Sequence, residues 1–92
     1  MWTIVEARHA AKAIDRLPRQ VAEKYAVWLA IVRQSGPHGL RVIKSFHDEK
    51  LAGKLASLRS SRLSNQWRVI YQVKSNEVTV YVERVTPHDY RP

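Results

Sequence analysis

The sequence predicts an α+β fold: a small, twisted, mostly antiparallel sheet of four strands with an N-terminal helical hairpin packed on one face, in the order β-α-α-β-β-β. Three observations predict it. Val21, Tyr25, Trp28, Leu29 and Val32 recur at helical spacing and stop at Ser35-Gly36-Pro37. Gln66 to Lys74 and Val78 to Val85 are β-prone runs joined by the polar loop Lys74-Ser75-Asn76-Glu77. Trp2-Thr3-Ile4-Val5 is a third, shorter β-prone run, ending at Glu6.

Taken in order, Trp2 to Val5 is expected to be a strand tied into the sheet. From Ala7 to Leu17, the residues Ala7, Ala10, Ala11, Ile14 and Leu17 mark one side of a first helix, which Pro18 closes while suiting the start of a second. Gly36 is expected as its left-handed cap. Pro37 to Lys54 reads as a loop with a short strand or turn, because Gly39, Gly53 and the polar cluster Ser45 to Lys50 interrupt any period, although Leu40, Val42 and Ile43 could pack locally. Lys54 to Leu63 then pairs with Gln66 to Lys74 across Ser64-Asn65, and Val78, Val80 and Val82 share a face of the next strand. In Gln66 to Lys74 the residues Trp67, Val69, Tyr71 and Val73 alternate with Arg68, Ile70 and Gln72, so burying the first set presents Arg68 on the opposite face.

A chain of 92 residues has material for one core, so residues 1–92 are expected to form a single domain. Its 45% hydrophobic content suffices for that core, and 26% charged residues argue against both disorder and a membrane protein. No apolar run approaches the roughly 18 to 20 residues of a spanning helix and no signal segment opens the chain, so a cytoplasmic location is expected. The absence of cysteine excludes disulfides and thiolate metal sites. Sixteen Lys and Arg against eight acids give +8 and a pI near 10.3, which calls for a polyanionic partner: nucleic acid, an acidic protein or an anionic membrane. From Arg41 to Arg68, seven cations stand against Asp48 and Glu49, a net +5 of that +8, and this concentration favours a site.

Arg59 and Arg62 lead into the strand of Arg68, and arginine forks match phosphate oxygens bidentately; the other reading of the stretch is a solvated edge strand kept soluble by charge. His88 follows a strand end, with Pro87 before it and Asp89, Tyr90 and Arg91 after it. Imidazole exchanges protons near neutral pH, which suits general acid–base work, while the same residues could be a polar tail. His47-Asp48-Glu49 hints at a metal site but lacks a second His or Cys at ligand spacing. His9 and His38 read as surface residues, and Trp28 as core; Trp67 leans to core but could stack on a base. Lys50 and Lys54, four apart, face the same way if helical and would meet a phosphate as point charges. There is no P-loop, dinucleotide-binding glycine run, nucleophile elbow or zincin helix. Arginines, lysines, a histidine and a tyrosine are what metal-independent RNA cleavage needs: a base for the ribose 2′-OH, cations for the phosphate and an acid for the leaving 5′ oxygen. A plain nucleic-acid-binding module would need only the charge.

The stretch Leu58 to Val73, LRSSRLSNQWRVIYQV, followed by the alternating valine strand and VTPHDY, resembles the RelE/ParE superfamily of bacterial type II toxins. The likeness covers nearly the whole chain and points to mRNA interferases of the RelE, HigB and YafQ kind. It implies a RelE-like sheet with two packed helices, cleavage of mRNA, often on the ribosome, translation inhibition with growth arrest, and neutralisation by an acidic antitoxin in an assembly that binds operator DNA through the antitoxin. Arg68 resembles the strand arginine that contacts the scissile phosphate, His88 falls where a residue of proton transfer stands, and Tyr90 lies near an aromatic that orients the base or ribose. Lys50, Lys54, Arg59 and Arg62 lie in the region of substrate-binding cations. The expected site is therefore His88, Arg68 and Arg62 at the phosphate, with Lys50, Lys54, Arg59, Tyr90 and His47 contacting substrate and no metal or cofactor. The general base stays open among His47, a lysine and Tyr90. ParE-type relatives, which inhibit DNA gyrase without catalysis, supply the alternative function.

Overall fold

The computed structural model of the chain describes residues 1–88; the expectations for Asp89, Tyr90 and Arg91 lie outside these residues. Strand β1 (Thr3–Glu6) is followed by helices α1 (Arg8–Ile14) and α2 (Arg19–Ser35) and a one-turn helix α3 (His38–Arg41). Strands β2 (Glu49–Lys50), β3 (Arg59–Arg62), β4 (Arg68–Lys74) and β5 (Thr79–Thr86) complete a five-stranded sheet in the order β1-β5-β4-β3-β2. The expected α+β class and helical hairpin are found. The sheet has one strand more than expected, the two-residue β2, which pairs antiparallel with β3. Only β1 runs parallel to its neighbour, β5.

The helical stripe forms because its residues have one sheet face to cover. Val21, Tyr25, Trp28 and Val32 are buried along α2, and the Trp28 ring meets Tyr71 of β4 edge-on at 5.3 Å and stacks on Tyr25 at 5.7 Å. The start of β1 is pinned to the far end of this helix by the Trp2 N–H, which donates to the Arg33 carbonyl. Gly36 ends the helix with its N–H on the Val32 carbonyl at 2.8 Å, but at φ 76° and ψ −178° it is extended at positive φ rather than left-handed helical, as the sequence had suggested. A Cβ there would lie 2.5 Å from the Trp2 indole nitrogen, so both the backbone and the packing demand glycine.

Pairing across the sheet sorts every strand residue onto one of two faces. Arg59, Ser61, Val69, Tyr71, Val80 and Val82 face the helices, together with Ile4 and Glu6 of β1. Ser60, Arg62, Arg68, Ile70, Arg84 and Thr86 share the other face with Glu49. A bulge in β5 opposite Ile70 and Tyr71 makes Glu83 the extra residue, which returns Val85 to the helix side after Val82. Val78, expected on the valine face, instead follows a 3-10 turn, Ser75–Glu77, in left-handed conformation (φ 51°) and is exposed. The expected strand from Lys54 to Leu63 is shorter, because Gly53–Leu55 is a 3-10 turn. The segment least legible in the sequence contributes two fully buried core side chains, Leu40 and Phe46.

Candidate functional site

Three consecutive residues of the connection between α3 and β2 go to three different places. His47 adopts a left-handed backbone (φ 43°) at the end of the 3-10 turn Lys44–Phe46 and is exposed. Asp48 turns inward under α2, its carboxylate fully buried. Glu49 enters β2 opposite Ser60 and so belongs to the face away from the helices.

The Asp48 carboxylate is the centre of a polar network. One oxygen accepts from Arg59 Nε at 3.0 Å and Nη2 at 2.8 Å; the other accepts from Ser61 Oγ at 2.7 Å and from the Tyr71 hydroxyl. Ser61 Oγ in turn accepts from the Trp28 indole N–H at 3.0 Å. Every donor comes from the helix-facing side of β3 and β4 or from α2, so the network ties the Asp48 segment to both layers. Burial works against the charge on Arg59, but the hydrogen bond and charge of Asp48 outweigh it and hold the guanidinium above its usual pKa. The Tyr71 phenol is pushed up, first by burial and then by the charge of Asp48. Arg59, expected as a substrate cation, is thus engaged by Asp48 and only 20% exposed.

On the other face, Arg62 of β3, Arg68 of β4 and Thr86 of β5 stand in one cross-strand row. Directly paired residues have Cβ atoms about 4.5 to 5.5 Å apart, and like charges so placed repel, which draws anions to the row. Arg68 has the parity the alternation predicts, but it does not stand open to solvent: it is 4% exposed, and its Nη1 donates to Ser60 Oγ at 3.3 Å. Its neighbours on the same face, Ile70 and Ser60, are buried too. Arg62 is part-buried, and its Nε is buried with no acceptor among the described residues. His88 is exposed and lies two residues beyond Thr86, its backbone N–H on Thr86 Oγ1 at 3.2 Å.

The structure therefore brings Arg62, Arg68 and the backbone of His88 to one end of the sheet. It does not bring the lysines there: Lys50 stands opposite Arg59 with the parity of the helix side, and Lys54 is exposed on the Gly53–Leu55 turn, so the two are not on one helix. Tyr90 lies outside the described residues. The residue that sequence reasoning missed is Glu49, which follows from its register with Ser60 and not from any motif; it shares the face of Arg62 and Arg68, one row removed. On the helix side, a cleft of about 330 Å³ opens between α2 and the β3–β4 connection and is lined by His47 and Arg62, with Lys24, Ser45, Ser64 and Asn65.

No protein-family model and no curated protein matches the sequence. Solved structures do. The chain superposes on YoeB in the YoeB–YefM complex from Staphylococcus aureus at 16% identity and TM-score 0.73, covering 97% of this chain and 99% of that one. It superposes on the YoeB/ParE toxin from Agrobacterium tumefaciens at 17% identity and TM-score 0.76, covering 95% and 99%. With the archaeal RelE–RelB complex from Pyrococcus horikoshii the identity is 22% and the TM-score 0.72, covering 94% and 93%. The chain thus has the fold of the small RelE/ParE-type toxins, the fold expected from the residues 58–73 and their neighbours. Within that fold it is similar to structures of the YoeB, YafQ and RelE toxins, some of them solved as complexes with an antitoxin.

Proposed function

We propose that this protein, acting as a single domain, is the toxin of a type II toxin–antitoxin pair and a metal-independent endoribonuclease that cleaves mRNA in association with the ribosome. One juxtaposition carries the reading: Arg62 and Arg68 are paired across β3 and β4, a carboxylate, Glu49, shares their face, and an imidazole, His88, follows the strand that flanks them. Base, cation and acid are the three groups that cleavage by the neighbouring 2′-OH requires.

In this reaction Glu49 takes the proton of the ribose 2′-OH, and the 2′ oxygen attacks the adjacent phosphorus. The P–O5′ bond breaks, and His88 gives a proton to the departing 5′ oxygen. The products are a 2′,3′-cyclic phosphate and a 5′-hydroxyl. Arg62 meets the phosphate oxygens, and the buried Arg68 adds positive potential beneath them, where low polarity strengthens its field. A positioned acid or base is worth about 10² to 10⁴ in rate. Lys50 and Lys54, away from the arginine row, contact more distant phosphates as exposed point charges, Tyr90 orients the base or ribose, and Arg59 acts through Asp48 by fixing the segment that bears His47 and Glu49. The partner is an acidic antitoxin, to which the charge of +8 is complementary, and the site of action is the cytoplasm.

The test is the integrity of transcripts after brief expression of the parent, Glu49→Gln, Arg62→Met and His88→Ala, with fragment ends identified in vitro in the presence of EDTA. Cyclic-phosphate ends from the parent, and about 10²-fold or more slower cleavage by Glu49→Gln and His88→Ala, are expected. Intact transcripts beside a blocked gyrase would instead establish the ParE-type inhibitor.

A further inference from the structure

Apart from Arg62 at its border, the cleft on the helix side of β3 has no role in the chemistry just described. Its walls carry Lys24 from α2, His47 and Ser45 from the turn before β2, and Arg62, Ser64 and Asn65 from the end of β3 and its connection to β4. None of its lining residues among those described is acidic, although two carboxylates follow His47 directly in sequence. Asp48 is withdrawn into its pairing with Arg59, and Glu49 belongs to the opposite face of the sheet. Among the described residues, the cations of the cleft therefore have no acidic neighbour in its lining. Lys24 is held in place by Ser45 Oγ at 2.6 Å and by the Phe46 ring beneath it, which fixes its ammonium at the rim and leaves further donors for a ligand. Arg62, whose side chain starts on the opposite face, borders the cleft from the end of β3, and its Nε is buried without an acceptor among the described residues.

We infer that this cleft is a binding subsite for one nucleotide of the RNA strand, which seats the phosphate next to the scissile one on Lys24 and His47, with Arg62 at its border. The inference rests on the nuclease reading, because Arg62 borders both this cleft and the row it forms with Arg68, so a strand crossing the end of the sheet passes from one to the other. At about 330 Å³ the volume is at the lower end of ligand pockets, which run from roughly 300 to 1,000 Å³, and suits one nucleotide better than a longer piece of chain.

Asn65 allows a test without touching the packing, because it lines the cleft and is exposed. The probe is a short RNA with 2′-O-methyl groups, which cannot be cleaved, titrated against the parent, Asn65→Asp and Asn65→Lys at several salt concentrations. Asn65→Asp is expected to weaken binding about tenfold and Asn65→Lys to tighten it by a similar factor. The log–log salt slope should fall by about 0.7 when the phosphate contact is lost, a readout that a merely structural change would leave in place. Equal affinities and slopes for all three proteins would overturn the subsite. So would an effect seen only with an acidic peptide and not with the RNA, which would make the cleft a protein-docking site. If the parent cleaves no RNA while the three proteins still separate in affinity and slope, the subsite stands and the nuclease reading falls.

Discussion

Replacing Asp48 by Ala removes the acceptor of four hydrogen bonds, from Arg59 Nε and Nη2, Ser61 Oγ and the Tyr71 hydroxyl. Breaking a buried ion pair on one side costs about 3 to 5 kcal/mol, and each buried donor left unsatisfied costs about 1 to 3 kcal/mol, terms that overlap here because the same groups enter both. Arg59 keeps 20% of its side chain in water, so part of its loss is recovered by solvation, and the expected cost is about 3 kcal/mol. Asp48→Asn keeps an acceptor oxygen but no charge, and should cost about half as much. Urea unfolding followed by tryptophan fluorescence measures both, since Trp28 touches the network through Ser61. The pairing also fixes a non-additivity: in an Arg59→Met background, Asp48→Ala should cost at least 1 kcal/mol less than it does alone, by about the usual coupling of contacting charges. A single-variant cost below about 1 kcal/mol, or full additivity, would refute the view that this carboxylate anchors the segment between α3 and β2.

Three further outcomes follow from the same coordinates. The Tyr71 phenol has its pKa raised by burial and by Asp48, whereas an unfolded tyrosine ionises near about pH 10. Above that pH the unfolded state binds fewer protons than the folded one, so stability falls as pH rises; in Tyr71→Phe the alkaline decline in urea midpoint should be shallower than in the parent. Val78 holds a left-handed conformation that costs a β-branched residue about 1 to 2 kcal/mol, and Val78→Asn should stabilise the protein by about 0.5 to 1 kcal/mol in the same unfolding assay. Gly36→Ala should destabilise it by about 1 to 3 kcal/mol, because the backbone there is one that only glycine adopts readily, and Trp2 must shift to admit the methyl group.

Much of the fold could be read from periodicity because periodicity reports burial against one neighbour. The stripe of α2 and the alternation in β4 each face the same layer boundary, and both were legible. The bulge at Glu83 was not, since it breaks strand period so that Val85 can rejoin the core. Phe46 was hidden for a related reason, being a single apolar side chain on a one-turn element too short to show any period, and of Leu40, Val42 and Ile43, expected to pack locally, only Leu40 is buried. In the candidate site, residue type directed attention to the arginines and His88 but could not sort them. Arg59, Arg62 and Arg68 look alike in sequence, yet strand parity sends Arg59 toward the helices and the other two to the opposite face. Glu49 and Asp48, read in the sequence only as a weak hint of a metal site, could not be given their roles because their opposite fates depend on the pairing of a two-residue strand.

The position of β5 between β1 and β4 has a bearing on how the protein comes to exist in the cell. Translation delivers β1 first, but the slot beside it stays vacant until β5, the fifth strand in order, has emerged, and only then can β1 join the other four. Of the groups proposed for the reaction, Glu49, Arg62 and Arg68 lie on the consecutive strands β2, β3 and β4, while His88 follows β5, so the reactive end gains its imidazole only when that last strand is in place. For the toxin proposed above, the strand that leads to His88 is thus the last to join the sheet, and a neutralising partner would have the whole interval of synthesis in which to be waiting.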